Sequence, residues 1–228
     1  MTNTSGVTCV GFIMDGNRRW ARARNVSVFE GHTEGYKKLK ELLRWAHEAK
    51  IAHVVAYAFS TENWQRAEEE VGYLMKLFRS ILENEAKSMI AERVRVRFVG
   101  DRSRFSKDMQ AMMLSFEEAT ASEYDATLHL LMSYGGRAEI VATTNALLSE
   151  GVKVVTEESF AQKLLSQDMP DPDLIIRTGG ERRLSNFLPW QSVYSELFFI
   201  DTLWPDFSRE EFDAILAEFA SRERRHGK

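Results

Sequence analysis

The stretch that decides the fold is Val7-Thr8-Cys9-Val10-Gly11-Phe12-Ile13-Met14, followed at once by Asp15-Gly16-Asn17-Arg18-Arg19-Trp20. The first eight residues form an apolar, β-branched run that is typical of a buried strand. A carboxylate at the carboxyl end of a strand, a glycine that frees the backbone and two arginines at a helix start suit a metal-bound phosphate. We therefore interpret this stretch as a candidate polyphosphate site. Taken alone, an ordinary turn with solvated arginines explains it equally well.

Length and composition limit the class of protein. With 228 residues, 44% hydrophobic and 11% aromatic, the chain can form one sizeable core, and we expect a single domain over residues 1–228. No apolar run approaches the roughly 18 to 20 residues of a membrane span, and the polar start Met1 to Gly6 lacks the pattern of a secretion signal. The single cysteine, Cys9, excludes an internal disulfide and fits core packing. We expect a soluble, cytoplasmic protein.

The charge distribution favours a small anionic substrate over a nucleic acid. A formal net charge of −4 argues against a general nucleic-acid binder, which needs a basic surface. The arginines are nevertheless clustered, which suits the recognition of a small anion. The two relevant groups are Arg18, Arg19, Arg22 and Arg24, and then Arg177, Arg182 and Arg183. A third group, which follows the last predicted helix, is interpreted as a solvated tail and contains Arg222, Arg224 and Arg225.

Short β-branched runs alternate with helical patterns along the whole chain. The predicted strands are Thr8 to Met14, His53 to Ala58, Arg95 to Val99, Thr127 to Leu131, Leu174 to Ile176 and Glu196 to Ile200. The predicted helices are Thr33 to Ala49, Glu68 to Ala91, one around Met109 to Phe116, Ala138 to Leu148, and a last helix capped by Ser208 with Glu211. This alternation predicts an α/β fold with a central, mostly parallel sheet of about six strands, flanked by helices.

The residues that follow the predicted strands are unusually polar. In open parallel sheets the ligand binds outside the carboxyl ends of the strands. The five polar strand exits are Asp15 to Arg19, Ser60 to Arg66, Gly100 to Arg104, Ser133 to Arg137 and Arg177 to Ser185. Their donors suit a diphosphate, whose charge is usually neutralised by Mg²⁺ as well, and Asp15 is the best-placed metal ligand. No Walker loop with its lysine is present, which argues against a nucleoside triphosphatase.

Several residues at these exits have two interpretations. His32 precedes a predicted helix, where it either caps the helix or contacts a phosphate, and position alone favours the cap. Glu196 is either an edge-strand charge or a distant metal ligand, and spacing favours the edge charge. Trp64 either meets substrate or anchors a polar turn to the core. The remaining histidines, which show no metal-ligand spacing, are His47, His53, His129 and His226.

Six segments together resemble the cis-prenyltransferases, the family of undecaprenyl diphosphate synthase. They are Met14-Asp15-Gly16-Asn17-Arg18-Arg19-Trp20-Ala21, Gly31-His32 with Gly35, Tyr57-Ala58-Phe59-Ser60-Thr61-Glu62-Asn63-Trp64, Tyr134-Gly135-Gly136-Arg137, Ile176-Arg177-Thr178-Gly179-Gly180-Glu181 and Leu203-Trp204-Pro205-Asp206-Phe207. The segments run in family order from about residue 8 to residue 226. The resemblance therefore covers nearly the whole chain.

The resemblance implies an activity, a cofactor and partners. The expected reaction is sequential condensation of isopentenyl diphosphate onto an allylic diphosphate such as farnesyl diphosphate, with Mg²⁺, in a homodimer. The expected product is undecaprenyl diphosphate or a similar polyprenyl diphosphate, the lipid carrier precursor for cell-wall glycan. Such a lipid product implies peripheral contact with the inner face of the membrane. The length of chain between Trp64 and Gly100 leaves room for a long helix and favours a long product.

Three alternatives stay open beside this expectation. One is a cis-prenyltransferase of short product length, of the farnesyl type. Another is a non-catalytic subunit of a heteromeric prenyltransferase, although such subunits lose the catalytic aspartate that Asp15 matches. The third is a sheet protein that binds a different diphosphate, such as a nucleotide.

Residue roles follow from the resemblance, position by position. Asp15 matches the catalytic aspartate and a metal ligand, Glu196 matches a second metal ligand, and Asn63 matches the residue that assists proton removal. The residues implied to hold the allylic diphosphate are Gly16, Asn17, Arg18, Arg19 and His32, with Trp20 beside the isoprenoid. Those matching the loop that closes over substrate are Ser60, Thr61, Glu62, Trp64 and Arg66. Those matching the isopentenyl diphosphate clamp are Arg177, Arg183 and Ser185, with Leu184 between the last two. The resemblance thus favours the ligand interpretation of His32 and Glu196.

The chain departs from the family pattern at three positions. Val28 stands about where many bacterial members have an arginine that contacts the allylic diphosphate. Arg18 replaces a glycine that is common in bacterial members, and it compensates in this interpretation. Arg182 occupies a position where some members have a histidine near the metal. The family architecture also implies a tunnel wall from the apolar faces of Thr33 to Ala49 and Glu68 to Ala91, which are equally suited to ordinary core.

Overall fold

A six-stranded sheet forms the centre of the computed structural model, which describes residues 5–222. The strands are β1 (Cys9–Ile13), β2 (His53–Ser60), β3 (Val94–Val99), β4 (Ala126–Tyr134), β5 (Leu174–Arg177) and β6 (Glu196–Phe199). Their order is β3-β4-β2-β1-β5-β6, and every neighbouring pair is parallel. The predicted α/β sheet is confirmed. Because successive strands are added on one side of β1 and then on the other, the end of β1 is the position where such sheets bind ligands.

The helices cover both faces of the sheet. They are α1 (Asn17–Ala23), α2 (Val28–Glu48), α3 (Glu68–Asn84), α4 (Ala86–Ala91), α5 (Lys107–Ala119), α6 (Gly136–Ser149), α7 (Glu157–Ala161) and α8 (Arg209–Ser221). The long predicted helix from Glu68 is broken at Glu85 into α3 and α4. The short helix α7 was not predicted, whereas the cap of α8 by Ser208 and Glu211 is confirmed.

Helix α2 begins five residues earlier than predicted, because its N-terminus is capped at Ser27. The Glu30 backbone N–H donates to Ser27 Oγ at 3.1 Å, and the Ser27 backbone N–H donates to the Glu30 carboxylate at 2.9 Å. This reciprocal pair is a capping box, which satisfies two N–H groups at the helix start. His32 therefore lies inside the helix, and the interpretation of His32 as the cap is wrong.

The core lies on both faces of the sheet. The larger cluster joins the sheet to α2, α3, α5 and α8 and includes Phe12, Phe78 and Phe212. A smaller cluster on the other face includes Cys9 and Phe187. Strand β4 is buried along its whole length, as expected for a parallel sheet covered on both sides. Burial of Cys9 raises the pKa of its thiol, which agrees with the predicted core role.

Helices α1 and α2 approach each other closely at two glycines. A Cβ atom at Gly35 would lie 2.3 Å from Asn17 Oδ1, and one at Gly31 would lie 2.4 Å from the Asn17 carbonyl oxygen. The Gly35 carbonyl also accepts a hydrogen bond of 2.8 Å from Trp204 Nε1. Direct contact with the backbone of α2 brings Asn17 next to His32, which lies on the same helix.

Two further expectations concern the membrane and the C-terminal arginines. Among residues 5–222, no helix is long and apolar enough to cross a bilayer.

Arg222 was predicted to be solvated, but its guanidinium donates to Glu196 and Glu218 and lies 4.3 Å from the centre of the Phe198 ring. The remaining residues of that predicted tail, together with one histidine, lie outside the described part of the chain; they are Arg224, Arg225 and His226.

Candidate active site

Asp15 lies just beyond the end of β1 and is held by two arginines. Its Oδ1 is 3.1 Å from Arg19 Nη2, and its Oδ2 accepts a hydrogen bond of 2.9 Å from Arg177 Nη2. Arg177 is the last residue of β5 and pairs in register with Ile13. The parallel register of two central strands therefore brings together residues that are far apart in sequence. We call Asp15, Arg19 and Arg177 the Asp15 cluster.

Arg177 is a buried cation with several acceptors. Only 3% of the residue is exposed, so its charge needs close partners to offset the loss of hydration. Besides Asp15, its Nη1 donates to Ser185 Oγ at 2.7 Å and to the Arg183 carbonyl oxygen. The Arg183 side chain is exposed and pairs with Glu181. Arg177 thus links the first strand exit to the segment that follows β5.

The glycine pair after β5 lets Arg19 approach the backbone. Gly179 has φ +87°, and a Cβ atom there would lie 2.4 Å from Arg19 Nη2. Arg19 Nη1 donates to the Gly179 carbonyl at 2.6 Å. Since only glycine readily adopts this φ, the residue type is required both by the turn and by the arginine.

A second carboxylate, Glu70 on α3, lies among three further cationic or titratable side chains. Its Oε1 accepts a hydrogen bond of 2.9 Å from Arg66 Nη1 and lies 3.4 Å from His32 Nε2, and its Oε2 lies 3.9 Å from Arg18 Nε. We call Glu70, Arg18, His32 and Arg66 the Glu70 cluster. Sequence analysis did not select Glu70, although its spacing of four residues from Arg66 is a signal for a helix ion pair.

His32 is neutral in this cluster at neutral pH. Burial is the largest influence and lowers the pKa of His32 below its usual value. The positive charge of Arg66 acts in the same direction, while Glu70 opposes it. Its Nε2 is buried and makes no well-formed hydrogen bond. A neutral imidazole at this position can donate to a phosphate oxygen without requiring a proton from solution.

The loop after β2 faces the same space as Asp15. Asn63 Oδ1 accepts a hydrogen bond of 3.0 Å from the Ser60 backbone N–H, which closes a tight turn. Glu62 accepts one of 2.8 Å from Asn186 Nδ2, and Asn186 Oδ1 accepts another from the Arg137 backbone N–H. Asn186 was not predicted as a site residue, yet its hydrogen bonds link the segment after β5 to those after β2 and β4. Its φ of +67° is one that asparagine tolerates better than most residues.

Five predicted substrate-contacting residues line none of the cavities beside Asp15. Trp64 packs between Phe59 and Phe105 and donates from Nε1 to Ser133 Oγ at 3.0 Å, which matches its interpretation as an anchor. Trp20 donates to Asp206 at 2.7 Å. The other three are Thr61, beside Gly135, Leu184, against the smaller core cluster, and the exposed Arg183, which pairs with Glu181. Their contacts with substrate stay predictions.

Three cavities meet in front of the Asp15 cluster. One cleft of about 1290 Å³ lies between the loop after β2 and the segment after β5, and it is lined by Ser60, Glu62, Asn63, Arg66, Arg177 and Ser185, among others. A second cleft of about 720 Å³ is lined by Gly16, Arg18, Arg19, Arg22 and Arg66. Asp15 lines both clefts. The third cavity is lined mostly by apolar side chains, with Asn17, His32 and Lys40 among its few polar ones.

The apolar cavity lies between the sheet and the helices α2, α3 and α4. Its lining includes Leu39, Leu74, Phe78, Phe98 and Phe116. Both helical faces that were proposed as tunnel wall or core do line a cavity, and the small residue Ala58 stands where it meets the larger cleft.

Three residues line all three cavities: Met14, Asn17 and His32. Asn17 Oδ1 is buried there without a hydrogen-bond partner, so this amide has bonding capacity left for a bound ligand. The arrangement joins two cationic clefts to one dry cavity at a single point. It suits a ligand with an anionic head and an apolar chain.

The two predicted metal ligands are not close together in this chain. Ile13 pairs with Arg177, and Arg177 pairs with Phe199, so Glu196 lies five residues before the level of Asp15. At ~3.3 Å per residue this separates them by about 16 Å along the strands. Glu196 instead accepts a hydrogen bond from Arg222. Within the single chain, Glu196 is therefore a charged residue on the edge strand β6, as its spacing in the sequence favoured.

The donor set at Asp15 fits a divalent cation that is bound mainly through substrate. Within residues 5–222, no group of three or more His, Cys, Asp and Glu side chains could hold a metal ion. Arg182 is exposed and adds no ligand. Mg²⁺ is commonly bound through one or two carboxylates together with substrate phosphates. Asp15 is one carboxylate that faces both clefts, so it meets that requirement.

Comparison with known proteins agrees with this geometry. A family model described as "Putative undecaprenyl diphosphate synthase" matches residues 13–227. An isoprenyl transferase of Fusobacterium nucleatum is 44% identical over 218 residues, which cover 96% of this chain and 94% of the relative. The isoprenyl transferase of Thermotoga maritima is 44% identical over 222 residues, covering 96% and 95%.

Two solved structures share the fold along nearly the whole chain. One is lavandulyl diphosphate synthase from Lavandula x intermedia in complex with dimethylallyl diphosphate, with a TM-score of 0.92, 30% identity and coverage of 98% of this chain and 99% of that one. The other is a probable undecaprenyl diphosphate synthase from Campylobacter jejuni, with a TM-score of 0.82, 32% identity and coverage of 97% and 99%. The cationic clefts, the apolar cavity and these matches lead to one conclusion: the chain belongs to the undecaprenyl diphosphate synthase family and is a prenyl transferase.

Proposed function

We propose that this enzyme condenses isopentenyl diphosphate sequentially onto an allylic diphosphate, with farnesyl diphosphate as the primer, and forms a cis-polyprenyl diphosphate of the undecaprenyl class. The observation that carries the proposal is the meeting of two cationic clefts and an apolar cavity at Met14, Asn17 and His32. Two diphosphates need two clefts, and a growing hydrocarbon chain needs a dry cavity that begins between them.

The clefts suit different substrates. The smaller cleft, at the start of α1, offers Arg18, Arg19 and the buried His32 to the allylic diphosphate, where helix N–H groups also favour an anion. The larger cleft offers Arg177 and Ser185 to isopentenyl diphosphate. The bound dimethylallyl diphosphate of the lavandulyl diphosphate synthase structure supports an allylic ligand for this fold.

The proposed reaction breaks the bond between the allylic C1 and its diphosphate oxygen. The electron pair of that bond leaves with the diphosphate, and the alkene of isopentenyl diphosphate forms the new carbon–carbon bond to C1. C2 of isopentenyl diphosphate then loses a proton to a phosphate oxygen, which restores a double bond. Arg18, Arg19 and His32 stabilise the charge on the departing diphosphate. Mg²⁺ held by Asp15 and substrate phosphate would add Lewis-acid stabilisation there. Asn63 lines the cleft of the second substrate, where proton removal takes place.

We further propose that the enzyme is a cytoplasmic homodimer that contacts the inner face of the membrane through its lipid product. An apolar polyprenyl chain partitions strongly out of water. A membrane therefore removes the product once it leaves the cavity. The role of the enzyme is then to supply the lipid carrier precursor for cell-wall glycan.

The direct test is a product assay with the purified chain. The chain is incubated with farnesyl diphosphate, radiolabelled isopentenyl diphosphate and MgCl₂, and the extracted products are separated by thin-layer chromatography. We expect long polyprenyl products that disappear with EDTA and return with added Mg²⁺. In a parallel incubation with dimethylallyl diphosphate as the primer, products that stop at three units support the short-chain alternative. Activity only after addition of a partner protein supports the non-catalytic alternative, and thermal protection by nucleotides but not prenyl diphosphates contradicts the proposal altogether.

A further inference from the structure

The wall of the apolar cavity has a polar seam on the side away from the sheet. Helix α2 forms one side of this seam, and α3 with α4 forms the other. On the outer surface, three side-chain pairs span it: Thr33 with Tyr73 at 2.9 Å, Lys40 with Glu85 at 3.2 Å and Arg44 with Glu92 at 3.2 Å. The middle pair differs from the others because its lysine also lines the cavity.

Lys40 belongs to a small polar cluster within this otherwise apolar lining. Its Nζ donates to both oxygens of Glu85 at 3.2 Å and lies 5.6 Å from the centre of the Tyr36 ring. Burial and the nearby Glu85 carboxylate raise the pKa of Tyr36, so its hydroxyl stays protonated. Tyr36 and Lys40 both line the cavity. We call Tyr36, Lys40 and Glu85 the seam cluster.

The seam cluster contacts solvent and cavity at once. The Lys40 side chain is 28% exposed and that of Glu85 is 20% exposed. Because Lys40 also lines the cavity, a single layer of side chains separates the cavity from water at this point. On the sheet side the lining consists of core residues such as Phe98 and Leu130. On the α3 side it includes Leu77 and Ile81, which are also partly exposed but carry no charge. The seam is therefore the place where a charged pair closes the partly exposed wall.

The helix carrying Glu85 is interrupted at that residue. Glu85 is the C-terminal cap of α3 and also precedes the first residue of α4. Hinges are commonly residues at element ends that absorb backbone change. The Lys40–Glu85 pair keeps contact with solvent on its outer side, so water can replace the hydrogen bonds of both charges when the pair separates. Leu82 and Met89, on either side of Glu85, are packed in the larger core cluster, so the seam opens by separation of the Lys40 and Glu85 side chains.

We infer that the seam cluster latches a lateral opening of the apolar cavity and thereby limits the length of prenyl chain that the cavity holds. Lys40 follows His32 by eight residues on α2, about 12 Å along the helix axis. This is close to the extended length of a farnesyl primer, so each unit that is added afterwards pushes the chain past the latch. The inference rests on the proposed function, since only an elongating enzyme must hold chains of increasing length.

The first experiment removes the latch and keeps side-chain length. In the double variant Lys40→Met/Glu85→Gln we expect a longer product distribution: the main product gains at least one C5 unit, and the fraction longer than the wild-type main product rises at least threefold. The matched control is Lys37→Met/Glu34→Gln, an ion pair on the solvent-facing side of the same helix, with 60% and 38% exposure. Its product distribution should equal that of the wild type.

The second experiment locks the latch reversibly. In Lys40→Cys/Glu85→Cys, a short bis-methanethiosulfonate bridges the two thiols, while Cys9 is buried and inert. We expect shorter products from the bridged protein than from the unbridged variant, and recovery when a reductant cleaves the bridge. An elongating enzyme that fails to lengthen its product in the first experiment, or to shorten it in the second, overturns the latch. A wild-type protein that condenses nothing overturns the proposed function instead.

Discussion

The Asp15 cluster and the Glu70 cluster are both carboxylates surrounded by positively charged side chains, but they are built in different ways. Asp15 lies at a strand end, its side chain is 31% exposed, and its cations come from the adjacent helix start and a neighbouring strand. Glu70 is on a helix, is only 12% exposed, and gathers side chains from α1, α2 and the loop before α3. One cluster depends on strand register and the other on helix packing.

This difference indicates a chemical role for Asp15 and a positioning role for Glu70. Asp15 lines both cationic clefts and so faces the diphosphates directly. Glu70 lines neither cleft but bonds to residues that do. We therefore expect loss of Asp15 to affect the chemical step, and loss of Glu70 to affect how tightly the allylic diphosphate is bound.

The largest effect is expected from Asp15→Asn. Removing this carboxylate should lower kcat by about 10³-fold, or about 4 kcal/mol, because stabilisation of the departing diphosphate is lost. Steady-state kinetics with farnesyl and isopentenyl diphosphates measure it. The control is Asp101→Asn, an exposed carboxylate at another strand exit, which should keep wild-type kcat. A kcat for Asp15→Asn within tenfold of the wild type would remove Asp15 from the chemistry.

A smaller effect is expected from Glu70→Gln. Without the carboxylate, the cations of the Glu70 cluster repel one another and lose their common orientation. We expect the KM for the allylic diphosphate to rise about tenfold, or ~1.4 kcal/mol, while kcat changes less than about threefold. Glu69→Gln is the matched control, because Glu69 is the preceding residue and is exposed. A lower KM in Glu70→Gln would show instead that Glu70 competes with the diphosphate for these cations.

Val28→Arg should strengthen the binding of the allylic diphosphate near the Glu70 cluster. Val28 is the first residue of α2 and precedes His32 by one turn, so the two side chains share a face. An arginine there adds a donor near the smaller cleft, and we expect the KM for the allylic diphosphate to fall about threefold, a typical effect for a partly exposed charge. Val28→Gln, which lacks the charge, should show no such gain, and a gain that persists at high salt would argue against a charge effect.

The smallest effect concerns the titration of His32. Because burial lowers its pKa in the folded protein, the unfolded chain binds a proton first, and the free energy of unfolding should fall as pH drops below about 6.5. Glu70 is the group that raises this pKa, so Glu70→Gln should lower the pKa of His32 further. NMR titration of the imidazole measures both values, with Glu69→Gln as reference. An unchanged pKa in Glu70→Gln would separate His32 from the cluster.

Local sequence was sufficient for the sheet and for one half of the site. Runs of β-branched residues predicted all six strands. The polar residues that follow these strands indicated where a ligand binds, and they include Asp15 and Arg177, which are hydrogen-bonded to each other. Strands in a parallel sheet all end at one edge, so a list of exits is already a list of neighbours.

The rest depends on contacts that no local pattern contains. Glu70 is one of three successive glutamates at a helix start, and only the packing of α3 against α2 decides that the third one faces inward. Glu196 matched a family position, yet strand register places it at the other end of the sheet from Asp15. The helix break at Glu85 likewise follows no proline or glycine in the sequence.

The close approach of α1 to α2 limits how this enzyme can be made more stable. A glycine inside a helix costs about 1 kcal/mol relative to alanine, so Gly→Ala changes in helices are a usual route to thermostability. At Gly35 that route is blocked, because the added methyl group would displace Asn17 from the junction of the three cavities. Helix propensity and substrate binding therefore oppose each other at this position, and a thermostable variant has to be sought elsewhere in the chain.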